Sequence, residues 1–355
     1  MSQTNTSGVY DMITSIPPIE SIFYGIALTL LSVLTLTGNS LVCLAVWRFR
    51  NLRSLTNYLV CSLACADLLV PLLRVIYIMI SVFSGEWIFG EIWCSISSMC
   101  GVLLCGASIL HLCAISIERL IAIKWPLSYN NKVTPKRIIM LLIYIWLQSF
   151  LLSVFPALGL VDHRFNKVMA ECEIHWLKHP TLVILLILFY FLLPVTTMLV
   201  AYAFIFKEVR RNSRRISAIE CSGTQCSKNK LKREMKAAKT LAVVVGVFFI
   251  TWTPYFVVTT IRAFQGDRII PNALQRTVIT LAYGNSCCNF VIYALMNSQL
   301  RNAFNQILRS CIRHKQSDFN STQSLNMTAV VKTTKRATFT DKATRYHKDT
   351  SEKNC

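Results

Sequence analysis

The chain has 355 residues, of which 54% are hydrophobic and only 15% charged, whereas a soluble domain carries about 25% charged residues. The net charge of +20 sits in short connectors between apolar blocks. That distribution argues against a soluble globular protein and against a nucleic-acid-binding face.

The first twenty residues are polar, contain Pro17-Pro18 and lack a basic n-region. They predict no cleavable signal peptide, so the first apolar block is expected to target the chain itself. Within this segment Asn5-Thr6-Ser7 is a glycosylation sequon.

Seven apolar blocks follow: about Ile22–Trp47, Tyr58–Phe83, Ile92–Lys124, Ile138–Leu160, Thr181–Phe206, Lys236–Phe264 and Ala273–Met296. A bilayer core needs roughly 20 apolar residues per helix. Lipid cannot satisfy free backbone groups, and uninterrupted apolar runs favour helices over the alternating strands of a barrel. The expected fold is an all-α membrane protein, a seven-transmembrane helix bundle.

The connectors set the orientation. Arg48, Arg50 and Arg53 follow the first block; Lys124, Lys132, Lys136 and Arg137 follow the third; a basic cluster from Lys207 to Lys239 follows the fifth. The segment before the first block and the connector from Phe83 to Trp93 hold acids and no Lys or Arg. By the positive-inside rule the N-terminus is expected outside and the C-terminus inside, with the basic connectors facing inner-leaflet lipid.

After the seventh block, Leu300, Phe304, Ile307 and Leu308 share one face of a short amphipathic segment, expected to lie along the inner interface as an eighth helix. Cys311 behind it is either a palmitoylation site or an unmodified thiol. From there the chain is rich in Ser, Thr and Lys and is expected to be disordered. The expected organisation is thus an extracellular segment over 1–21, a receptor-like bundle over 22–310 and a cytoplasmic tail over 311–355.

Of the fourteen cysteines, most lie within blocks as small apolar residues or face a reducing cytosol. Cys94 and Cys172 remain on the outer side, and one disulfide between them is expected.

Each block also carries a motif: "GNSLV" with Asn39, "LACADLLV" with Asp67, "ERL" with Arg119, Trp146, Pro194 with Tyr202, "FFITWTP" with Trp252 and Pro254, and "NFVIY" with Asn289 and Tyr293. In this order the chain resembles the rhodopsin-like (class A) G-protein-coupled receptors over about residues 20–310. "GEWIFGEIWC" and "KAAKTLAVVVGVFFITWTPYF" look most like the biogenic-amine branch. Two departures stand out. Phe290 replaces the proline of the seventh-span motif, and Gly101 stands where amine receptors place the aspartate that pairs with a ligand ammonium.

The resemblance implies several groupings. Glu118 and Arg119, with Glu234 at the foot of the sixth helix, match the family's resting latch; Tyr202, Tyr293 and Asn289 match the residues that Arg119 meets on activation. Read from the residues alone, Glu118 and Arg119 are an interfacial ion pair. Asn39, Asp67, Ser108, Asn285 and Asn289 resemble a sodium site, the alternative being a protonated Asp67 held by these neighbours. Ile109, Pro194 and Phe248 match a packing triad. Arg74, Gly101, Val102, Cys105, Trp252, Tyr255, Phe256 and Tyr283 are the pocket candidates. Arg74 either binds a ligand carboxylate or phosphate, pairs with Glu91 or Glu173, or snorkels. His111 is expected to be a packed residue.

No metal-ligand spacing, phosphate loop or nucleophile triad stands out, so an enzyme is not expected, nor a cofactor other than a possible sodium ion. The function implied is a plasma-membrane receptor that binds an extracellular ligand, slightly in favour of an amine-like small molecule, and activates a heterotrimeric G protein. A receptor kinase and arrestin would act on the Ser/Thr-rich tail. A non-signalling binding receptor, suggested by Phe290, and a transporter or channel are the alternatives.

Overall fold

Proline at the start of a helix loses nothing, because first-turn N–H groups have no intrahelical partner. In the computed structural model Pro18 opens the first helix, α1 (Pro18–Arg48), which begins earlier than the apolar pattern at Ile22 suggests. The structure describes residues 17–154, 161–218 and 225–310, without the side chains of 18, 212–218, 225–238 and 241.

Six further long helices follow. α2 runs from Leu55 to Ser84; Ser54 caps it by accepting a hydrogen bond from the Asn57 N–H at 3.2 Å, and Gly85 ends it in the left-handed region at φ 76°. Inside α2 the segment Pro71–Val75 widens to a π turn. Pro71 has no N–H to give the preceding turn, so the ladder re-forms one residue longer, with the Ile76 N–H reaching the Pro71 carbonyl. α3 spans Gly90–Lys124 and is followed by a one-turn helix, Tyr129–Lys132. α4 is Pro135–Val154. α5 runs from Pro180 to Ala218 with a π segment at Leu188–Leu192. α6 (Gln225–Gln265) contains Pro254, and α7 is Asn272–Met296.

All seven are long and apolar enough to cross a membrane. Their polarity is arranged for lipid. Large apolar side chains such as Phe23, Phe83, Ile143, Leu151 and Ile250 face outward, while Asn39, Asp67, Ser108, His111, Asn285 and Asn289 are buried. With no hydrophobic drive between helices in lipid, polar and small residues hold the interior. The apolar windows of α3 and α7 are 56% buried against 22% for α4, which puts α3 and α7 at the centre and α4 at the rim.

Between α4 and α5 a hairpin forms from β1 (His163–Asn166) and β2 (Glu171–Ile174), antiparallel, with Phe165 opposite Cys172. Cys94 at the start of α3 is bonded to Cys172. Every residue of β2 is buried, so the disulfide sets the strand over this end of the bundle.

The chain divides into two units, Met1–Arg301 and Asn302–Cys355. The described part of the second, residues 302–310, is helical. Asn5, Cys311 and the tail lie outside the described residues.

Candidate functional site

Beneath β2 a cavity of about 720 Å³, counting its open mouth, is lined by all eight residues singled out from the sequence: Arg74, Gly101, Val102, Cys105, Trp252, Tyr255, Phe256 and Tyr283. Glu173, Trp176, Leu186, Tyr190 and Thr259 complete much of the wall.

The floor is aromatic. Trp252 meets Tyr255 edge-on at 5.6 Å and Phe256 at 5.9 Å, and Phe248 lies below at 6.4 Å from Trp252. Ile109, Pro194 and Phe248 are all buried.

The head of the cavity is charged. The Arg74 guanidinium donates through Nε to the Tyr283 hydroxyl at 2.8 Å, through one terminal nitrogen to the Ser97 carbonyl at 2.7 Å, and through the other to Glu171 Oε2 at 3.0 Å. Tyr283 donates in turn to the same Glu171 oxygen at 2.6 Å. Arg74 thus pairs with neither Glu91 nor Glu173, and it does not snorkel: it is buried and points into the cavity. Glycine at position 101 makes room for it. A Cβ there would stand 2.8 Å from Arg74 Cζ and 2.9 Å from two of its nitrogens. The guanidinium therefore fills the space beside α3 where amine receptors carry their aspartate.

Sequence reasoning missed Glu171. Its signal was its place beside Cys172: the disulfide brings the residues flanking Cys172 over the cavity, and Glu171 and Glu173 are both buried there. Burial raises the Glu171 carboxyl above the usual carboxylate range, with Arg74 opposing.

Above it a second network ties the hairpin to the helix ends. Glu173 accepts from Asn166 at 2.7 Å, from Trp176 Nε1 at 3.2 Å, from Arg164 at 3.4 Å and from Arg262. Arg262 also donates to Asp267 at 2.7 Å, and Arg164 pairs with the other Asp267 oxygen. Burial works to raise Asp267, but Arg262 and Arg164 outweigh it and hold the carboxyl below its ordinary value. Arg276 of α7 pairs with Glu20 of α1.

Deeper in the bundle, Asp67 is fully buried and accepts from Ser108 at 3.2 Å and Asn289 at 2.9 Å. Asn39 turns its amide nitrogen to the Ser286 and Thr35 carbonyls, and Asn285 to Thr251. Among the described residues no cationic side chain is paired with Asp67. A buried carboxylate with only neutral partners fits either a proton or a small cation that prefers oxygen ligands. His111 lies nearby as a packed residue, bonded to the Ala107 carbonyl at 2.7 Å and to Ser62 at 2.8 Å.

At the end of the bundle opposite the disulfide, Glu118 Oε1 accepts from Thr56 at 2.8 Å and from Tyr129 at 2.5 Å, and Oε2 lies 3.5 Å from Arg119 Nε. Tyr202 packs with Leu120, Ile123 and Ile205. The Tyr293 hydroxyl is buried and has no hydrogen-bond partner among the described residues. The Glu234 side chain lies outside those described.

A cavity at one end of seven membrane-length helices, and a polar cluster around Glu118 at the other, are the arrangement of a heptahelical membrane receptor. A family profile described as "7 transmembrane receptor (rhodopsin family)" matches residues 38–293. The histamine H2 receptor of Rattus norvegicus is 39% identical over 287 residues, covering 79% of this chain and 78% of its own. The human histamine H2 receptor is 36% identical over 304 residues, covering 84% and 83%. The alpha-1A adrenergic receptor of Mus musculus is 33% identical over 330 residues, covering 84% and 70%. The fold matches that of squid rhodopsin with a TM-score of 0.77 at 22% identity, covering 84% of this chain and 88% of that one. The chain belongs to the rhodopsin family of G-protein-coupled receptors, on its biogenic-amine branch. Its partners are accordingly an extracellular ligand and a heterotrimeric G protein.

Proposed function

We propose that this receptor binds a small amine-bearing ligand in the cavity under β2 and activates its G protein through Arg119. The reading is carried by the buried Glu171 carboxylate, bonded to Arg74 and Tyr283 of the cavity wall, together with the aromatic floor of Trp252, Tyr255 and Phe256: a carboxylate and ring faces are what an ammonium group seeks. The disulfide end faces outside, as the positive-inside pattern requires. Repacking of Trp252 against Phe248, with Ile109 and Pro194, passes the change downward, and a ligand acts only by favouring one of the two packings.

In the resting state Arg119 is held by Glu118 and by Glu234 of α6. In the active state it is released to Tyr202, Tyr293 and the G protein. Asp67, with Asn39, Ser108, Asn285 and Asn289, would hold a sodium ion that stabilises the resting packing. Asn5 carries a glycan, Cys311 a lipid, and the tail takes receptor kinase and arrestin, with the basic connectors on inner-leaflet lipid. The test is nucleotide exchange on the G protein in cells expressing wild type or Arg119→Ala at equal surface density, challenged with a panel of amines. The expected result is loss of exchange in the variant; equal exchange would remove Arg119 from the switch.

A further inference from the structure

Arg74 and Tyr283 of the cavity wall are both bonded to a buried acid, Glu171, and the base and the acid have bonding capacity to spare. A guanidinium has five N–H groups. Arg74 commits three, to Tyr283, Ser97 and Glu171. One N–H on each terminal nitrogen is left, and two donors from one guanidinium are what a carboxylate takes in a bidentate contact. Glu171 receives both Arg74 and Tyr283 on Oε2, so Oε1 is left as an acceptor.

The surrounding charge is balanced. Arg74 pairs with Glu171, Arg164 and Arg262 pair with Glu173 and Asp267, and the second set lies close enough for Glu173 and Arg262 to act electrostatically on Glu171. A simple amine entering this set brings a positive charge beside Arg74, and a simple acid brings a negative one beside Glu171. Either leaves one buried charge without its complement, which is costly where water is excluded. A ligand that carries both charges on adjacent carbons answers both groups at once, because Arg74 and Glu171 are themselves in contact at 3.0 Å.

Resting on the amine-receptor reading above, we propose that the ligand is a zwitterionic α-amino acid with an aromatic side chain, its carboxylate on Arg74, its ammonium on Glu171 and its ring on the Trp252–Tyr255–Phe256 floor. Gly101 is then a specificity residue. It lets the guanidinium lie against α3, where any side chain would displace it.

The test uses the full chain in cells, reading G-protein nucleotide exchange against three matched sets of probes. These are phenylalanine, tryptophan and histidine, each beside its decarboxylated amine and its deaminated propionic acid. At least one amino acid is expected to activate at a concentration lower by about 100-fold or more than its amine and its acid, because a site built to bond a group rejects the analogue that lacks it. Arg74→Gln is expected to erase most of that advantage, bringing the potency ratio of amino acid to amine to within a few-fold of one. If Arg74→Gln does not reach the surface, the wild-type ranking within each set decides. An amine as potent as its amino acid overturns this inference and leaves the amine reading standing. An active acid with inactive amine and amino acid overturns both. If none of the nine probes activates, the aromatic amino acid is excluded as the ligand, and the amine panel used above still tests the broader reading.

Discussion

At position 101 the smallest side chain and a buried guanidinium depend on each other. Gly101→Ala would put a methyl group within 3 Å of Arg74 Cζ, and the arginine is pinned at three points, so it cannot simply swing aside. The expected cost is about 1–3 kcal/mol of stability, from overpacking and strained hydrogen bonds. In an Arg74→Ala background the same change should cost far less, and a thermal double-mutant cycle in detergent would show that coupling. Glu171 gives a pH prediction of definite sign. Its carboxyl is raised by burial, while Arg74, Tyr283, Glu173 and Arg262 act on it as charged or polar neighbours; Asp267 is lowered. A raised carboxyl protonates first as pH falls, and ligand binding that needs its charge weakens there. The stabilising contribution of a lowered carboxyl is present above its ordinary value and lost only on falling through the depressed one. Agonist potency should therefore drop in wild type as pH falls from neutral toward the ordinary carboxylate range and stay flat in Glu171→Gln, with the loop network intact throughout. This acid was not legible in the sequence. Arg74 stood out because a charge in an apolar run is rare, but the hairpin that brings Glu171 to it is a matter of tertiary path. Cys43, Cys61 and Cys65 are similar: read singly as small apolar residues, their thiols gather within 4.8 Å of one another.

At the scale of elements, the sequence carried most of the fold, since hydropathy fixes spans in a solvent that tolerates little else. What it did not carry were the two π segments, because they arise from how one helix turn packs rather than from composition. The first follows Pro71 and adds a residue to the turn that contains Arg74, so it changes the direction in which Arg74 leaves α2. Phe290, a departure the sequence does show, also acts at this scale. With phenylalanine in the family's proline position, α7 runs as an unbroken helix from Asn272 to Met296. The ring lies across Gly38 of α1, where a Cβ would come within 2.3 Å of it. Glycine and phenylalanine thus fit as a pair, one residue before the Asn39 motif. Phe290→Pro would remove that packing and one helical hydrogen bond, a loss of about 3 kcal/mol or more. Gly38→Ala should be strongly destabilising in wild type and nearly neutral once Phe290 is replaced by Pro. Thermal unfolding of the four combinations checks this; additive losses would mean that the ring does not hold the two helices in register.

For the whole molecule, the question is what holds the receptor at rest in the absence of ligand. On the function proposed above, the contacts at the end opposite the disulfide would do so through Glu118 rather than through Arg119 alone. Thr56 of α2 and Tyr129 of the one-turn helix after α3 both donate to one Glu118 oxygen, while the other faces Arg119. Two separate stretches of chain therefore fix the acid beside the arginine, and neither Thr56 nor Tyr129 was readable as part of the motif. A hydrogen bond to a charged group contributes about 1.5–3 kcal/mol. If Tyr129 makes it only in the resting packing, Tyr129→Phe moves the equilibrium toward the active state by roughly 10-fold or more, since 1.4 kcal/mol is a factor of ten. Basal nucleotide exchange at equal surface expression should rise accordingly, and Thr56→Val should act in the same direction. The double variant should exceed either single one by less than the product of the two, because both bonds end on the same oxygen. Unchanged basal exchange in both single variants would show instead that Glu118 keeps these partners in the active packing, and that the resting state is held elsewhere along the path from the cavity.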